Sequence, residues 1–235
     1  MPSRDVSVMK GLYCPICETS AEAFLPAGTP QRLNVRCPSC GSLERHRLDW
    51  IFFRTRTNLF DGSPKKMLHV APEPCFQPRL SSIEALHYVS IDRDDPRAML
   101  RMDLLDLDFR DDLFDAIYCS HVLEHIVDDA KAIRELYRVC KPGGWAVLQV
   151  PINAARTFED PSITDPEGRR KAFGSERHVR CCGPDYIERM AAAGFDTRVF
   201  HTTDILSAQD SARMGIQSNR TIFFCVRPVR SKNRE

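Results

Sequence analysis

Three things are scarce in this chain: net charge, long apolar runs and, at one decisive loop, glycine. The 235 residues carry 33 Lys and Arg against 32 Asp and Glu. Binding nucleic acid over a broad surface needs a clustered excess of cations, so this balance argues against a nucleic-acid partner. No apolar run approaches the roughly 20 residues of a membrane span. The opening stretch MPSRDVSVMKGLYC lacks the apolar core of a signal peptide. The expectation is a soluble, cytoplasmic protein with no membrane span. Its length allows one full α/β core and a small appendage, and no feature of the sequence specifies an oligomeric state.

Cysteine, by contrast, is plentiful at ten residues. In a cytosolic chain these are thiols or metal ligands before they are disulfides. Cys14-Pro-Ile-Cys17 and Cys37-Pro-Ser-Cys40 are two C-x-x-C knuckles separated by nineteen residues. Each offers two thiolates on one side of a metal, and two such bites complete the closed tetrahedral shell of structural zinc. A closed shell leaves no position for substrate, so zinc here is assigned to folding, not catalysis. Phe24 and the run Leu33-Asn-Val-Arg36 are placed in a small hairpin between the knuckles. Cys75, Cys119, Cys140 and Cys225 sit in apolar surroundings and read as small core residues. Cys181-Cys182 reads as structural.

Ser42 to Phe60 follows as a helical connector, with Leu48, Trp50, Ile51, Phe52 and Leu59 as its apolar face, expected to pack the ribbon against the domain that follows. Arg45, His46, Arg47, Arg54 and Arg56 are assigned to its solvated face in preference to an anion site. Asp61-Gly-Ser-Pro64 is a turn.

The stretch from Phe114 to Pro151 is a complete strand–loop–helix–turn–strand unit. Asp115 to Cys119 is a short apolar run suited to a buried parallel strand. Ala130, Ile133, Leu136, Tyr137 and Val139 recur at helical spacing. Lys141-Pro-Gly-Gly144 stops the helix, and Trp145 to Val150 is a second buried strand. Ligands of open α/β sheets bind at the carboxyl ends of their strands, which makes the loop Ser120 to His125 a candidate site.

FDAIYCSHVLEH and LYRVCKPGGWAVLQVP resemble the motifs around the fourth and fifth strands of class I S-adenosylmethionine-dependent methyltransferases. The resemblance runs from about Lys66 to Phe224. It implies a Rossmann-like, seven-stranded α/β sheet and S-adenosylmethionine as cofactor. Most members have a glycine-rich loop after the first strand. This chain has Ala71-Pro-Glu-Pro-Cys-Phe76 instead, and is similar to a subgroup, often bearing a zinc ribbon, whose first strand ends LHVAPEP. Ala71, Pro72 and Glu73 then belong to the cofactor loop, with Glu73 either facing the cofactor's ammonium or facing solvent. Asp92, ending the second strand, is matched to the carboxylate that accepts from the ribose hydroxyls. Asp103 is placed beside the adenine amino group, with Leu104 against the ring. Ser120 and His121 bracket the methionine portion. Arg93, Asp94, Asp95, Asp106 and Asp108 are assigned to solvated loops.

Methyl transfer needs alignment above all; a hydroxyl acceptor also needs its proton removed, by a base or a metal. The candidate catalytic residues are His178, His121 and His125, with Glu124 beside them. Three readings stay open. His178 is a general base or an orienting residue. His121, Glu124, His125 and His178 hold a divalent ion, as some family members do with Glu-x-x-Glu-His and a distant His, although His121 stands where the first Glu would be. Or these histidines only support structure. The long, charged segment from about 152 to 183 is expected to be a mobile lid over the acceptor pocket.

The expected organisation is a zinc ribbon over 1–41, a helical connector over 42–64, a methyltransferase domain over 65–226 and a flexible tail over 227–235. Gly183 to Ile187 starts a helix that Gly194 ends. Thr197 to Phe200 and Thr221 to Val226 are the last strands. The expected function is methyl transfer to a small-molecule or saccharide-like acceptor, at oxygen. The alternatives are a methyltransferase for a protein or RNA docked by the ribbon, and an inactive cofactor-binding module. No Asn-Pro-Pro-Tyr-like motif follows Cys119, which argues against amino-group methylation of bases or glutamine amides.

Overall fold

The computed structural model of the protein describes residues 11–28 and 31–229. The end of the expected tail, 230–235, and most of the stretch read for a signal peptide lie outside the described residues. Two compact units are present. One comprises the described residues up to Asp61 together with 74–79 and 200–221; the other comprises 62–73, 80–199 and the described residues from Ile222 on. The units interleave along the chain, whereas sequence signals delimit only contiguous segments.

In the first unit, strands β1 (Leu12–Cys14) and β2 (Thr19–Ala21) pair antiparallel, as do β3 (Leu25–Ala27) and β4 (Arg32–Arg36). The expected hairpin around Phe24 and Leu33–Arg36 is therefore present. Helix α1 (Glu44–Arg56) follows. Of its expected solvated face, Arg54 and Arg56 are exposed and Arg45 is half-buried, but His46 and Arg47 are buried along with Leu48, Asp49, Trp50, Phe52 and Phe53. Trp50 stacks on Phe76, and Phe52 meets Phe200 edge-on. A helix buried on most sides carries no clean amphipathic stripe, which is why its charges read as solvated from sequence.

The second unit is built on β5 (Lys65–Val70), followed after the short α2 (Gln77–Ser81) by β6 (Leu86–Asp92), β7 (Leu100–Arg101), β8 (Phe114–Ser120), α3 (Asp129–Val139) and β9 (Cys140–Gln149). Then come β10 (Phe158–Glu159), α4 (Pro166–Phe173), β11 (Arg180–Cys181), α5 (Ile187–Ala192) and β12 (Asp196–His201). The first unit adds α6 (Thr202–Ile205) and α7 (Ala208–Arg213) before β13 (Thr221–Val226) closes the order. The seven-stranded sheet runs β12-β13-β9-β8-β5-β6-β7. β5 is parallel to both β6 and β8, β8 is parallel to β9, and β13 is antiparallel to β9. This is the expected Rossmann-like α/β methyltransferase sheet.

Apolar residues on both sheet faces explain the strands. Leu68, Val70, Ile117, Cys119, Ala146 and Leu148 are buried among Ile133, Leu136 and Val139 of α3. Asp128 caps α3 by accepting from the Lys131 N–H. The expected helix face is buried at Ile133, Leu136 and Val139, with Ala132 taking the place of the exposed Ala130. Lys141 to Gly144 does not form a free turn. It bulges within β9, four residues lying opposite Asp115 between the Phe114–Cys140 and Ala116–Trp145 pairs. Gly143 takes φ +80°, and a Cβ on Gly144 would meet the Asp115 carbonyl at 3.0 Å. Lys141 closes the bulge onto the Asp115 carboxylate at 2.7 Å. Among the described residues, no helix is long and apolar enough to cross a membrane.

Candidate functional site

The four knuckle cysteines converge in the first unit. Their sulfurs all lie within 4.8 Å of one another, with Cys14–Cys40 and Cys17–Cys37 both at 3.6 Å. A tetrahedron of sulfurs 2.3 Å from a zinc ion has edges of about 3.8 Å, so the donor set fits zinc closely. The Cys40 thiol, then the Ser42 hydroxyl, stabilise a thiolate at Cys14 and hold its pKa down to about 4 despite burial. Beside this anionic cluster lies Arg47, fully buried, donating to the carbonyls of Met214, Val35, Ser42 and Gly215 and covering the Phe24 ring. Cys75, Cys119, Cys140, Cys182 and Cys225 are buried as core, and Cys181 is half-buried. Burial pushes Cys119 well above its ordinary range and Cys140 and Cys182 up to about 12.

In the second unit the sheet order reverses about β5: β6 continues on one side and β8 lies on the other. Such a switch point opens a crevice at the carboxyl ends of the strands. The residues that leave β5 and β8 there, Ala71 (φ +52°) and His121 (φ +57°), both adopt the left-handed conformation. Ala71 makes the turn that glycine makes without strain, which accounts for the missing glycine of the loop.

A cavity of about 890 Å³ occupies this crevice. It gathers Ala71, Asp92, Asp103, Leu104, His121 and His125 from among the expected residues. Asp92 Oδ1 accepts from the Asp94 and Asp95 N–H groups, and Asp103 Oδ1 accepts from the Leu105 N–H. Each carboxylate is thereby held by the backbone of its own loop. Leu104 is a buried apolar wall. Arg93, Asp94 and Asp95, expected in a solvated loop, line the cavity, and Asp106 and Asp108 are exposed as expected.

Pro72 and Glu73 are not among the lining residues. The Glu73 carboxylate lies 2.7 Å from Nε2 of buried His69, whose Nδ1 meets the Tyr88 hydroxyl at 2.9 Å. Ser120 stays within β8, its buried Oγ without a hydrogen-bond partner.

On the opposite wall, residues 123–125 form one 3-10 turn. Glu124 turns inward and is 1% exposed. Its Oε1 lies 3.2 Å from His121 Nδ1 and 3.9 Å from His125 Nε2, and its Oε2 has no hydrogen-bond partner. His178 lies outside the lining but its ring packs edge-on against His125 at 4.9 Å. Carbonyls can only accept, so the contacts of His125 Nδ1 to Arg177 O and of His178 Nδ1 to Phe173 O fix a proton on each Nδ1. In the neutral tautomer of each ring the lone pair then lies on Nε2. Burial lowers the His178 pKa below the ordinary imidazole range, which keeps that ring neutral at pH 7.

The segment expected as a mobile lid is built and fastened. Asp165 caps α4, Gly174 ends it, and β10 pairs with β11. The Val179 N–H donates to Glu124 O. Arg180, one of the charges of that segment, is 2% exposed. It donates to the carbonyls of Leu123, Ile126 and Val127 and pairs with Glu159. Asp129, 3.5 Å from Arg180, also accepts from Tyr186 and Arg189. Sequence reasoning missed this anchor, and also Arg169, Glu176 and Arg177, which line the cavity from the lid. The one available signal was the unusual density of charge in 159–189, which periodicity does not sort into buried and exposed.

Comparison with known proteins agrees with this geometry. Residues 81–148 match the family model described as a methyltransferase domain. A stretch of 55 residues is 44% identical to a demethylmenaquinone methyltransferase of Clavibacter sepedonicus, covering 23% of this chain and 22% of that one. A stretch of 39 residues is 51% identical to the ubiquinone/menaquinone biosynthesis C-methyltransferase of Proteus mirabilis, covering 17% and 16%. The matches thus span about a fifth of the length of these curated relatives. Among solved structures, the [4+2]-cyclase SpnF superposes with a TM-score of 0.55 at 18% identity, over 79% of this chain and 82% of that one. An S-adenosylmethionine-dependent methyltransferase of Mesorhizobium loti gives 0.52 at 18% identity, over 76% and 96%. The second unit has the class I methyltransferase fold; at these identities the structural likeness speaks to fold alone.

Proposed function

We propose that this chain transfers a methyl group from S-adenosylmethionine to an oxygen of a small-molecule or saccharide-like acceptor, and that zinc held by Cys14, Cys17, Cys37 and Cys40 stabilises the first unit. The observation that carries the proposal is the two-walled cavity at the β5/β8 crevice. One wall offers oriented carboxylates and an apolar surface; the other offers histidines around a buried carboxylate.

The first wall suits the cofactor. Asp92 would accept from the ribose hydroxyls, Asp103 from the adenine amino group, and Leu104 would cover the ring. The left-handed turn at Ala71 brings backbone close to the ligand, with Pro72 stiffening the loop. Glu73, engaged by His69, would hold that loop in place and contribute negative charge near the sulfonium. Ser120 and His121 would bracket the methionine portion. S-adenosylmethionine supplies a methyl group on a sulfonium, a good neutral leaving group, so the protein's main task is alignment.

The second wall suits the acceptor. Arg169, Glu176 and Arg177 line the cavity on the side that carries His125, with His178 packed behind that ring, and the fastening of the segment by Arg180 keeps this wall in place. His121, His125 and His178 are the groups available to receive or steer the proton that a hydroxyl acceptor must lose. The relatives named for demethylmenaquinone point to a small acceptor rather than a macromolecule. One of those names records methylation at carbon. We place the methyl on oxygen because the wall concentrates proton-handling groups.

The test is tritiated methyl transfer from S-adenosylmethionine into fractionated lysate, followed by identification of the labelled atom. Label in the low-mass fraction on oxygen is expected. Label confined to macromolecules overturns the small acceptor, label on carbon overturns the assigned atom, and cofactor binding without label favours an inactive module.

A further inference from the structure

On the methyl-transfer reading, we propose that Arg169 and Arg177 determine which acceptor the cavity takes, and that this acceptor carries a carboxylate or a phosphate besides the hydroxyl that receives the methyl. The two guanidiniums grip that anion.

The carboxylates and guanidiniums that line the cavity sort by whether they are paired. Arg93 reaches Asp94 at 2.9 Å, Arg97 Nε reaches both Asp95 oxygens at 2.9 and 3.0 Å, and Glu176 accepts from Arg170. Asp92 and Asp103, on the cofactor wall, accept only from backbone N–H groups. Arg169 and Arg177, on the lid side, have no carboxylate partner among the described residues. Arg169 Nε donates to Ile163 O at 3.3 Å, which leaves both terminal nitrogens of its fork uncommitted. The Arg177 guanidinium is uncommitted altogether. The cavity is therefore bipolar, with unpaired acids on one wall and unpaired arginines on the other.

S-adenosylmethionine bears a sulfonium, an ammonium and one carboxylate, so it is a net cation and suits the acidic wall. Its single carboxylate does not answer two arginines, and the acceptor is the other molecule the cavity must hold. An arginine presents its donors as a planar fork that fits a carboxylate or a phosphate through two parallel bonds. The backbone under both forks is fixed. Asp165 caps α4, which carries Arg169, and Gly174 ends that helix at φ +82° three residues before Arg177. The Arg177 N–H donates to Ser175 Oγ at 3.3 Å, and its carbonyl accepts from His125 Nδ1 at 3.1 Å. Arg177 is thus tied to a ring that lines the cavity beside it. Charge also favours the order of events. Before transfer, the sulfonium and the acceptor's anion attract each other across the cavity. After transfer the sulfur is a neutral thioether, that attraction is gone, and release becomes easier.

The experiment supplies the full chain with tritiated S-adenosylmethionine and the small-molecule fraction of a lysate, and separates the labelled product by electrophoresis at pH 7. Migration as an anion is expected. Alkaline phosphatase then tells the two sources apart, since it removes the charge of a phosphate monoester and leaves that of a carboxylate. Over a dilution series of the same fraction, Arg169→Gln and Arg177→Gln should each raise the half-saturating amount at least tenfold. Their affinity for S-adenosylhomocysteine and their melting temperature should stay those of the wild type. Should Arg169→Gln unfold, Arg177→Gln decides alone, because Arg177 is exposed and its side chain bonds to no other described residue. A neutral or cationic product overturns the acceptor class and leaves the methyl-transfer reading standing. An anionic product with the half-saturating amount unchanged in the variants overturns the role of the arginines. A tenfold loss of S-adenosylhomocysteine affinity at unchanged melting temperature assigns the pair to the cofactor's carboxylate and overturns it too. Label in no small molecule, with S-adenosylhomocysteine still bound, overturns both the acceptor class and the small-molecule reading it rests on.

Discussion

Arg47 in the first unit and Glu124 in the second are both charged and both buried, at 0% and 1% exposure. Arg47 donates to four backbone carbonyls and covers an aromatic ring beside the thiol cluster. Glu124 has one oxygen near a histidine and the other without a partner. A buried charge whose hydrogen bonds are made contributes to specifying the fold; one left short of partners costs stability and is kept where a ligand completes it. The contrast teaches how to sort the buried polar groups of this molecule into those that hold a unit together and those that belong to a site.

Removing zinc should have the largest effect. Structural zinc supplies on the order of 10 kcal/mol to small domains, so stripping it, or making Cys37→Ser, should collapse hydrogen-exchange protection in β1–β4 while β5, β8 and β9 stay protected. Protection retained in the first unit without metal would break the comparison on its closed side. Arg47→Met should cost roughly 3 kcal/mol in a denaturant melt, because it strands four carbonyls, with S-adenosylhomocysteine affinity unchanged. Glu124→Gln should do the reverse, moving stability by less than about 1 kcal/mol or raising it. If the two substitutions destabilise equally, the sorting rule fails.

Arg180→Gln should cost about 2 kcal/mol and open residues 152–183 to limited proteolysis. The same fastening depends on pH. Burial alone would raise the Glu159 pKa, but Arg189 and Arg180 bring it below its ordinary 4.5. A depressed carboxylate contributes stability that is present above pH 4.5 and is lost as pH falls through the folded value. Proteolysis of the segment should therefore accelerate only below pH 4.5, and an acceleration at higher pH would contradict it. Asp92→Asn should weaken S-adenosylhomocysteine binding about tenfold by calorimetry, the value of one charge-assisted hydrogen bond. The smallest effect expected is for Ala71→Gly, which relieves a left-handed alanine and should raise stability by up to about 1 kcal/mol.

Strands were legible as short, mostly apolar runs. Lys66–Val70, Tyr88–Asp92 and Asp115–Cys119 fall within β5, β6 and β8. The two C-x-x-C knuckles were legible because short spacing leaves their geometry little freedom, and the sulfurs do converge. Asp92 was legible as a strand-end carboxylate and Asp103 only through the family resemblance; both reach the cavity. Arg47 and Arg180 were not. Each reads as a surface charge, because burial of an arginine depends on carbonyls supplied from Met214 and Gly215 in one case and Leu123, Ile126 and Val127 in the other. No local pattern encodes partners so far away in the chain.

The sequence by itself determined the parallel strands, the cysteine tetrad and the strand-end carboxylate Asp92, because those follow from short-range periodicity, spacing and backbone preference. The tertiary structure alone decided that Ala71 turns left-handed in place of a glycine, that the units interleave, that Glu124 faces inward, and that His178 joins His125 from some fifty residues away. Those outcomes depend on which distant groups share a buried volume, and on whether each buried charge finds a partner there.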